Sequence, residues 1–181
     1  MSSKTTRLMA ITAGLGLALS AAGAQAFEGQ AGLHFADFGD ADNGFGVSAQ
    51  ADVIPEVRVH GEYTSTDGLD LLRLGGGWLM DLNPVEIELG GNYQFWDFEG
   101  DFEDDVYGLH GIVGYPVMEE LTLHGKLEFL TYDNFDDDTL VIGFGADYRF
   151  TDQIGMDFSA EHYTEDFVDD TFIRLGGYYA F

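Results

Sequence analysis

TFIRLGGYYAF, residues 171–181, alternates without a break. Successive side chains of a strand point to opposite sides, so Ile173, Leu175, Gly177, Tyr179 and Phe181 share one face, while Phe172, Arg174, Gly176, Tyr178 and Ala180 share the other. The first face is apolar or small throughout and the second carries a cation. The same alternation puts Leu121, Leu123, Gly125, Leu127 and Phe129 on one face, and likewise Leu140, Ile142, Phe144, Ala146, Tyr148 and Phe150.

Working outward from that stretch, segments of this kind recur between turn residues at Gln30 to Phe38, Gly44 to Val53, Val57 to Ser65, Leu69 to Met80 and Val85 to Trp96. Five more follow at Val106 to Tyr115, Leu121 to Tyr132, Thr139 to Phe150, Ile154 to Tyr163 and Thr171 to Phe181. Their spacing predicts an all-β chain: a closed antiparallel up-and-down transmembrane β-barrel of ten strands, with eight as the alternative. The connections Ile54–Glu56, Asp81–Pro84, Pro116–Glu120 and Thr151–Gln153 are short and hold Pro55, Pro84 and Pro116, which belong in turns outside a hydrogen-bonded ladder. The opposite set, Gly39–Asn43, Thr66–Gly68, Asp97–Asp105, Asp133–Asp138 and Thr164–Asp170, is rich in aspartate and glutamate. Short turns on one side and longer polar loops on the other match the periplasmic and extracellular ends of an outer-membrane barrel. No apolar run after residue 26 approaches the ~20 residues of a spanning helix.

At the N-terminus Lys4 and Arg7 precede an apolar run from Leu8 to Ala22, followed by Ala24-Gln25-Ala26. That order predicts a cleavable signal peptide over residues 1–26 and a barrel domain over 27–181, with both ends of the mature chain periplasmic. The chain has no cysteine, which removes disulfides and thiolate metal sites as sources of stability. All 33 acidic residues lie beyond residue 26 with only five basic ones, a charge near −28 that argues against nucleic acid as a partner.

Those five basic residues are Arg58, Arg73, Lys126, Arg149 and Arg174, and turning the apolar faces outward places all of them inside. Asp52, Glu62, Glu86, Glu88, Glu128, Asp147, Asp157 and Glu161 fall on the same face. The expected lumen is a mesh of ion pairs in an interior barely wider than its own side chains. A soluble β-sandwich would reverse the facing and fits the composition equally well. The leader, the aromatic strand ends and the terminal Phe181 favour the barrel.

Gly177-Tyr178-Tyr179-Ala180-Phe181 resembles the C-terminal assembly signal of outer-membrane proteins, with Gly177, Tyr179 and Phe181 outward; Leu175 departs from it where a polar residue is usual. Together with the hairpin rhythm of residues 27–181, the chain resembles the small Gram-negative outer-membrane barrels of the OmpA-like, OmpX-like and opacity types. The resemblance implies outer-membrane location, contact with lipid and lipopolysaccharide, and assembly by the barrel-assembly machinery through the last strand. It implies no substrate, and its members are commonly eight-stranded. The internal echo of Gly61-Glu62-Tyr63-Thr64…Arg73-Leu74-Gly75-Gly76 in Glu161-His162-Tyr163-Thr164…Arg174-Leu175-Gly176-Gly177 reads as hairpin duplication.

Candidate sites are sparse. Acidic loops carrying Asp104, Asp105, Asp137, Asp138, Asp169 and Asp170 offer hard oxygen ligands for calcium or magnesium, without the EF-hand pattern. No other cofactor is expected. His34, His60, His110 and His124 are read as inward and His162 as near the outer rim, where Ser159 and His162 face opposite sides and make no catalytic pair. Tyr63, Phe95, Trp96, Tyr132 and Tyr163 near the loops, and Trp78, Tyr115, Tyr148 and Phe150 near the turns, are read as interfacial girdles. The function expected is that of a monomeric barrel with a structural or surface-interaction role, acidic extracellular loops and a plugged lumen. A narrow pore is the alternative, an outer-membrane lipid-modifying enzyme comes third, and the chain is expected not to be an enzyme.

Overall fold

The structure is a computed structural model and describes residues 28–39, 43–98, 102–134, 138–164 and 171–181. The expected signal peptide lies outside these residues. Ten strands follow in chain order: β1 Glu28–Asp37, β2 Asn43–Ile54, β3 Val57–Thr66, β4 Leu69–Asp81, β5 Glu86–Phe98, β6 Phe102–Met118, β7 Leu121–Tyr132, β8 Asp138–Arg149, β9 Ile154–Tyr163 and β10 Thr171–Ala180. Each pairs antiparallel with its sequence neighbours, and β1 pairs with β10 to close an up-and-down barrel. The closing seam matches Leu33 with Gly177 and Ala31 with Tyr179, and Gly29 and Phe181 exchange backbone hydrogen bonds of 3.1 and 2.9 Å.

β6 differs most from the expected bounds. It begins at Phe102 because Glu103, Asp104 and Asp105 pair with Asp97, Trp96 and Phe95 of β5, so most of that acidic connection is ladder. Their side chains find partners on either face of the hairpin: Asp104 accepts from the backbone and side-chain amides of Asn134 (3.1 and 3.2 Å), and Asp105 accepts from the Tyr93 hydroxyl. At the other end β6 runs through Pro116 to Met118, and the register shifts between those two residues. The irregularity lets a residue without an N–H sit within the strand.

The outer surface is apolar: Leu33, Phe45, Leu109 and Phe144 are more than 60% exposed, and Leu127, Ile142 and Leu175 about half exposed. A belt of this size suits hydrocarbon and not water. Replacing a side chain at its middle with arginine is therefore expected to be costly. Leu127→Arg should destabilise the barrel by ~2–4 kcal/mol, and Thr131→Arg near the loop end of the same strand by ~0–1 kcal/mol. Urea unfolding in lipid vesicles measures both, and equal costs would contradict the lipid-facing assignment.

The hydrophobic core lies inside the barrel at the loop end. Ala36, Leu69, Leu71, Trp96, Val106, Leu130, Tyr132, Val141, Tyr163 and Phe172 are all buried there. Phe38, just past β1, folds in among them with ring centroids 4.7 Å from Phe172, 5.7 Å from Trp96 and 5.8 Å from Tyr163. Gly39 (φ 56°) turns the chain in the left-handed region that glycine enters without strain, and its N–H donates to Asp37 Oδ1 at 3.1 Å. Trp96, Tyr132 and Tyr163 therefore do not belong to an interfacial girdle. They share the inward parity of Gln94, Leu130 and Glu161, two residues before each, which nearness to a loop does not reveal.

Candidate functional site in the barrel lumen

Beneath the apolar tier the inward faces of the strands carry charge. Glu161 on β9 accepts from Lys126 Nζ on β7 (2.8 Å) and faces Arg73 Nη2 on β4 (3.4 Å), so it bridges the lumen. Lys126 also meets Glu128 Oε2 at 2.7 Å, and Arg73 reaches the Tyr163 hydroxyl at 3.3 Å. Arg174 on β10 pairs with Glu62 on β3 and with Asp157 on β9 (3.1 Å). Nearer the turns, Arg58 binds Asp52 with two nitrogens (2.7 and 3.1 Å) and Glu86 with the third (3.0 Å).

Two residues of the expected mesh stand apart. Arg149, the last residue of β8, is exposed and donates to the Glu119 carbonyl in the adjoining turn at 2.6 Å, because its guanidinium lies beyond the mesh. Asp147 instead meets His124 Nε2 at 2.5 Å. The three remaining inward histidines spread down the lumen: His34 Nε2 bonds Thr64 Oγ1 (2.9 Å), and His60 and His110 flank Glu88. His162 is exposed on the outside, next to Thr171 Oγ1 at 3.3 Å, whereas Ser159 lines the lumen.

A polar ladder on β5 ties tier to mesh and escaped the sequence reading. Trp96 Nε1 donates to Gln94 Oε1 (3.0 Å), Gln94 Nε2 donates to Asn92 Oδ1 (3.0 Å), and Asn92 Nδ2 donates to Glu128 Oε1. Its signal is present as Asn92-x-Gln94-x-Trp96, three polar-headed side chains at strand period on one face. A cavity of about 250 Å³ lies within the mesh, its walls including Glu62, Arg73, Lys126, Glu161 and Arg174 together with Arg58, His60, Glu88, His110 and Asp147.

The acidic rim is only partly within the described residues; Asp137, Asp169 and Asp170 lie outside them. Asp104 points inward and Asp105 outward, since neighbours on a strand take opposite faces, and Asp138 is exposed at the start of β8. Asp104 and Asp105 therefore do not converge on one ion.

No family model matches the chain, and no curated protein matches it. Among solved structures, the chain is similar to a KdgM porin in complex with disordered oligogalacturonate: 10% identity, 85% of this chain and 99% of that one, TM-score 0.55. It is also similar to an outer-membrane channel from Pseudomonas putida F1: 11% identity, 87% and 96% coverage, TM-score 0.53. At such identities the likeness is one of fold, that of outer-membrane β-barrels.

Proposed function

We propose that the chain is an integral outer-membrane barrel whose lumen is sealed at the loop end, serving a structural or surface-interaction role. The observation that carries this reading is the continuous apolar tier, in which Leu71, Trp96, Leu130, Val141, Tyr163 and Phe172 are each no more than 1% exposed. A close-packed interior of this kind leaves no file of water across it. The ion-pair mesh below it joins β3, β4, β7, β9 and β10 from within and holds the wall in place. The short turns and both ends of the mature chain face the periplasm, and the acidic loops face outward. Gly177, Tyr179 and Phe181 present the last strand to the assembly machinery, and the outer belt contacts lipid and lipopolysaccharide. The barrel works as a monomer without catalysis.

A narrow pore is the second reading, favoured by the lumenal cavity and by the names of the similar structures. The oligogalacturonate named in complex with the KdgM porin does not carry over as a ligand. Galacturonate chains bear a carboxylate on every sugar, and here Arg58, Arg73, Lys126 and Arg174 are already held by the barrel's own carboxylates. Liposome swelling tests the reading: vesicles containing the refolded protein are expected to swell no faster in small sugars or amino acids than empty vesicles. Swelling that rises with protein content would establish the pore.

A further inference from the structure

Two of the carboxylates that line the lumenal cavity stand outside the pairing that holds the rest. Arg58 takes up Asp52 and Glu86, Arg174 takes up Glu62 and Asp157, and Lys126 takes up Glu128 and Glu161. Glu88 and Asp147 are bonded to imidazoles instead: Glu88 Oε1 to His110 Nε2 at 3.1 Å, and Asp147 Oδ2 to His124 Nε2 at 2.5 Å. Glu88 is only 5% exposed, yet its Oε2 accepts no hydrogen bond among the described residues. The cation nearest that oxygen is Arg58 Nη1 at 3.9 Å, on a guanidinium already occupied by Asp52 and Glu86. Asp147 lies directly across from Asp157 in the β8–β9 ladder and on the same inward face, a like-charge pair that costs stability unless a positive group stands beside it. Arg174 serves Asp157 in this way, at 3.1 Å, and leaves Asp147 to His124.

Glu88 on β5 and Asp147 on β8 reach the cavity from separate stretches of the wall. Among the described residues no three His, Asp or Glu side chains converge as metal ligands, so the free acceptors suit an elongated organic cation and not a metal ion. The cavity volume of about 250 Å³ falls just below the ~300 Å³ at which pockets for drug-sized ligands begin, so the guest is small. Ile112 and the side-chain-free Gly143 and Gly145 on the same wall leave room for a hydrocarbon stem. Gln30, Gln50 and Tyr178 carry the wall toward the turn ends of β1, β2 and β10, which gives the way in, while the apolar tier occupies the other end. Charge sets the sign of the guest. The cations that could hold an anion are already paired, whereas an ammonium group meets carboxylates that folding has already stripped of much of their water, where attraction is weakly screened.

We propose that the lumenal cavity binds a small aliphatic diamine, one ammonium group held by Glu88 and the other by Asp147 beside Asp157. The site goes beyond the structural role argued above and does not depend on whether the loop end is sealed. Calorimetric titration of the refolded barrel with 1,4-diaminobutane in excess magnesium chloride tests it, the magnesium occupying the exposed acids of loops and turns. One equivalent of the diamine is expected to bind despite the magnesium. Butylamine, which engages one carboxylate, should bind at least about tenfold more weakly, and 1,4-butanediol should not bind. Glu88→Gln and Asp147→Asn keep side-chain size and an oxygen for the imidazole, and each should weaken the diamine by at least about tenfold. Asp152→Asn, in the exposed turn before β9, should leave it unchanged. If one lumenal variant does not refold, the other and the butylamine comparison carry the test. Absence of binding would overturn the proposal, as would displacement by magnesium, equal affinity for butylamine, or binding that persists undiminished in the lumenal variants.

Discussion

Trp96→Ala is expected to lower the unfolding free energy of the barrel by about 3–5 kcal/mol, the range for emptying a packed aromatic site. Its ring lies within 6.0 Å, centroid to centroid, of Phe38, Phe98, Tyr132 and Tyr163, and its Nε1 anchors the Gln94–Asn92 ladder. The cavity left behind is bounded by rings from several strands that cannot all move in, so relaxation recovers little of the loss. It also opens the tier from its centre, which makes Trp96→Ala the variant expected to admit water to the loop end. Trp96→Phe separates the two contributions: it keeps most of the packing and loses the hydrogen bond, for about 0.5–1.5 kcal/mol plus a small volume term. Urea titration in vesicles, followed by far-UV circular dichroism and by the gel mobility of the folded barrel, measures both.

Glu161→Ala is expected to cost a similar amount, about 3–5 kcal/mol, for a different reason. Glu161 is buried and is shared by Lys126 and Arg73, so removing it leaves Arg73 with the Tyr163 hydroxyl as its remaining polar contact and Lys126 with Glu128 alone. An unpaired guanidinium in a wall surrounded by lipid is the expensive product. Glu86→Ala supplies the contrast: Glu86 is half exposed and Arg58 retains its two bonds to Asp52, so the expected loss is under about 1 kcal/mol. Raising the salt concentration should shrink the Glu86 effect and leave the Glu161 effect nearly unchanged, since buried pairs are poorly screened. Equal losses at the two positions would show that the mesh is not a buried network.

The barrel and the direction of its faces were legible because a strand's two-residue period is local. Ile173 through Phe181 announce an outward face, and Arg174 follows inward without any knowledge of its neighbours. The partners of Arg174 were legible only as candidates, because Glu62 stands 112 residues away and the choice among inward acids depends on barrel stagger. The apolar tier was missed for a related reason. Trp96, Tyr132 and Tyr163 flank loops, as girdle residues do, and only strict parity counted from Gln94, Leu130 and Glu161 places them inside. The β5–β6 hairpin runs longer than expected because backbone pairing of Asp104 and Asp105 is indifferent to their charge when Asn134 and Tyr93 supply donors. The meeting of His60, Glu88 and His110 was least legible of all, since it depends on glycines at Gly75 and Gly77 of an intervening strand and on no spacing along the chain.

Single-channel recording in planar bilayers, on the wild-type chain and Trp96→Ala side by side, tests the sealed lumen most directly. The expected result is a silent wild type and a variant with discrete, reproducible conductance steps. Steady conductance from the wild-type barrel, unchanged in Trp96→Ala, would show that the apolar tier does not close the lumen.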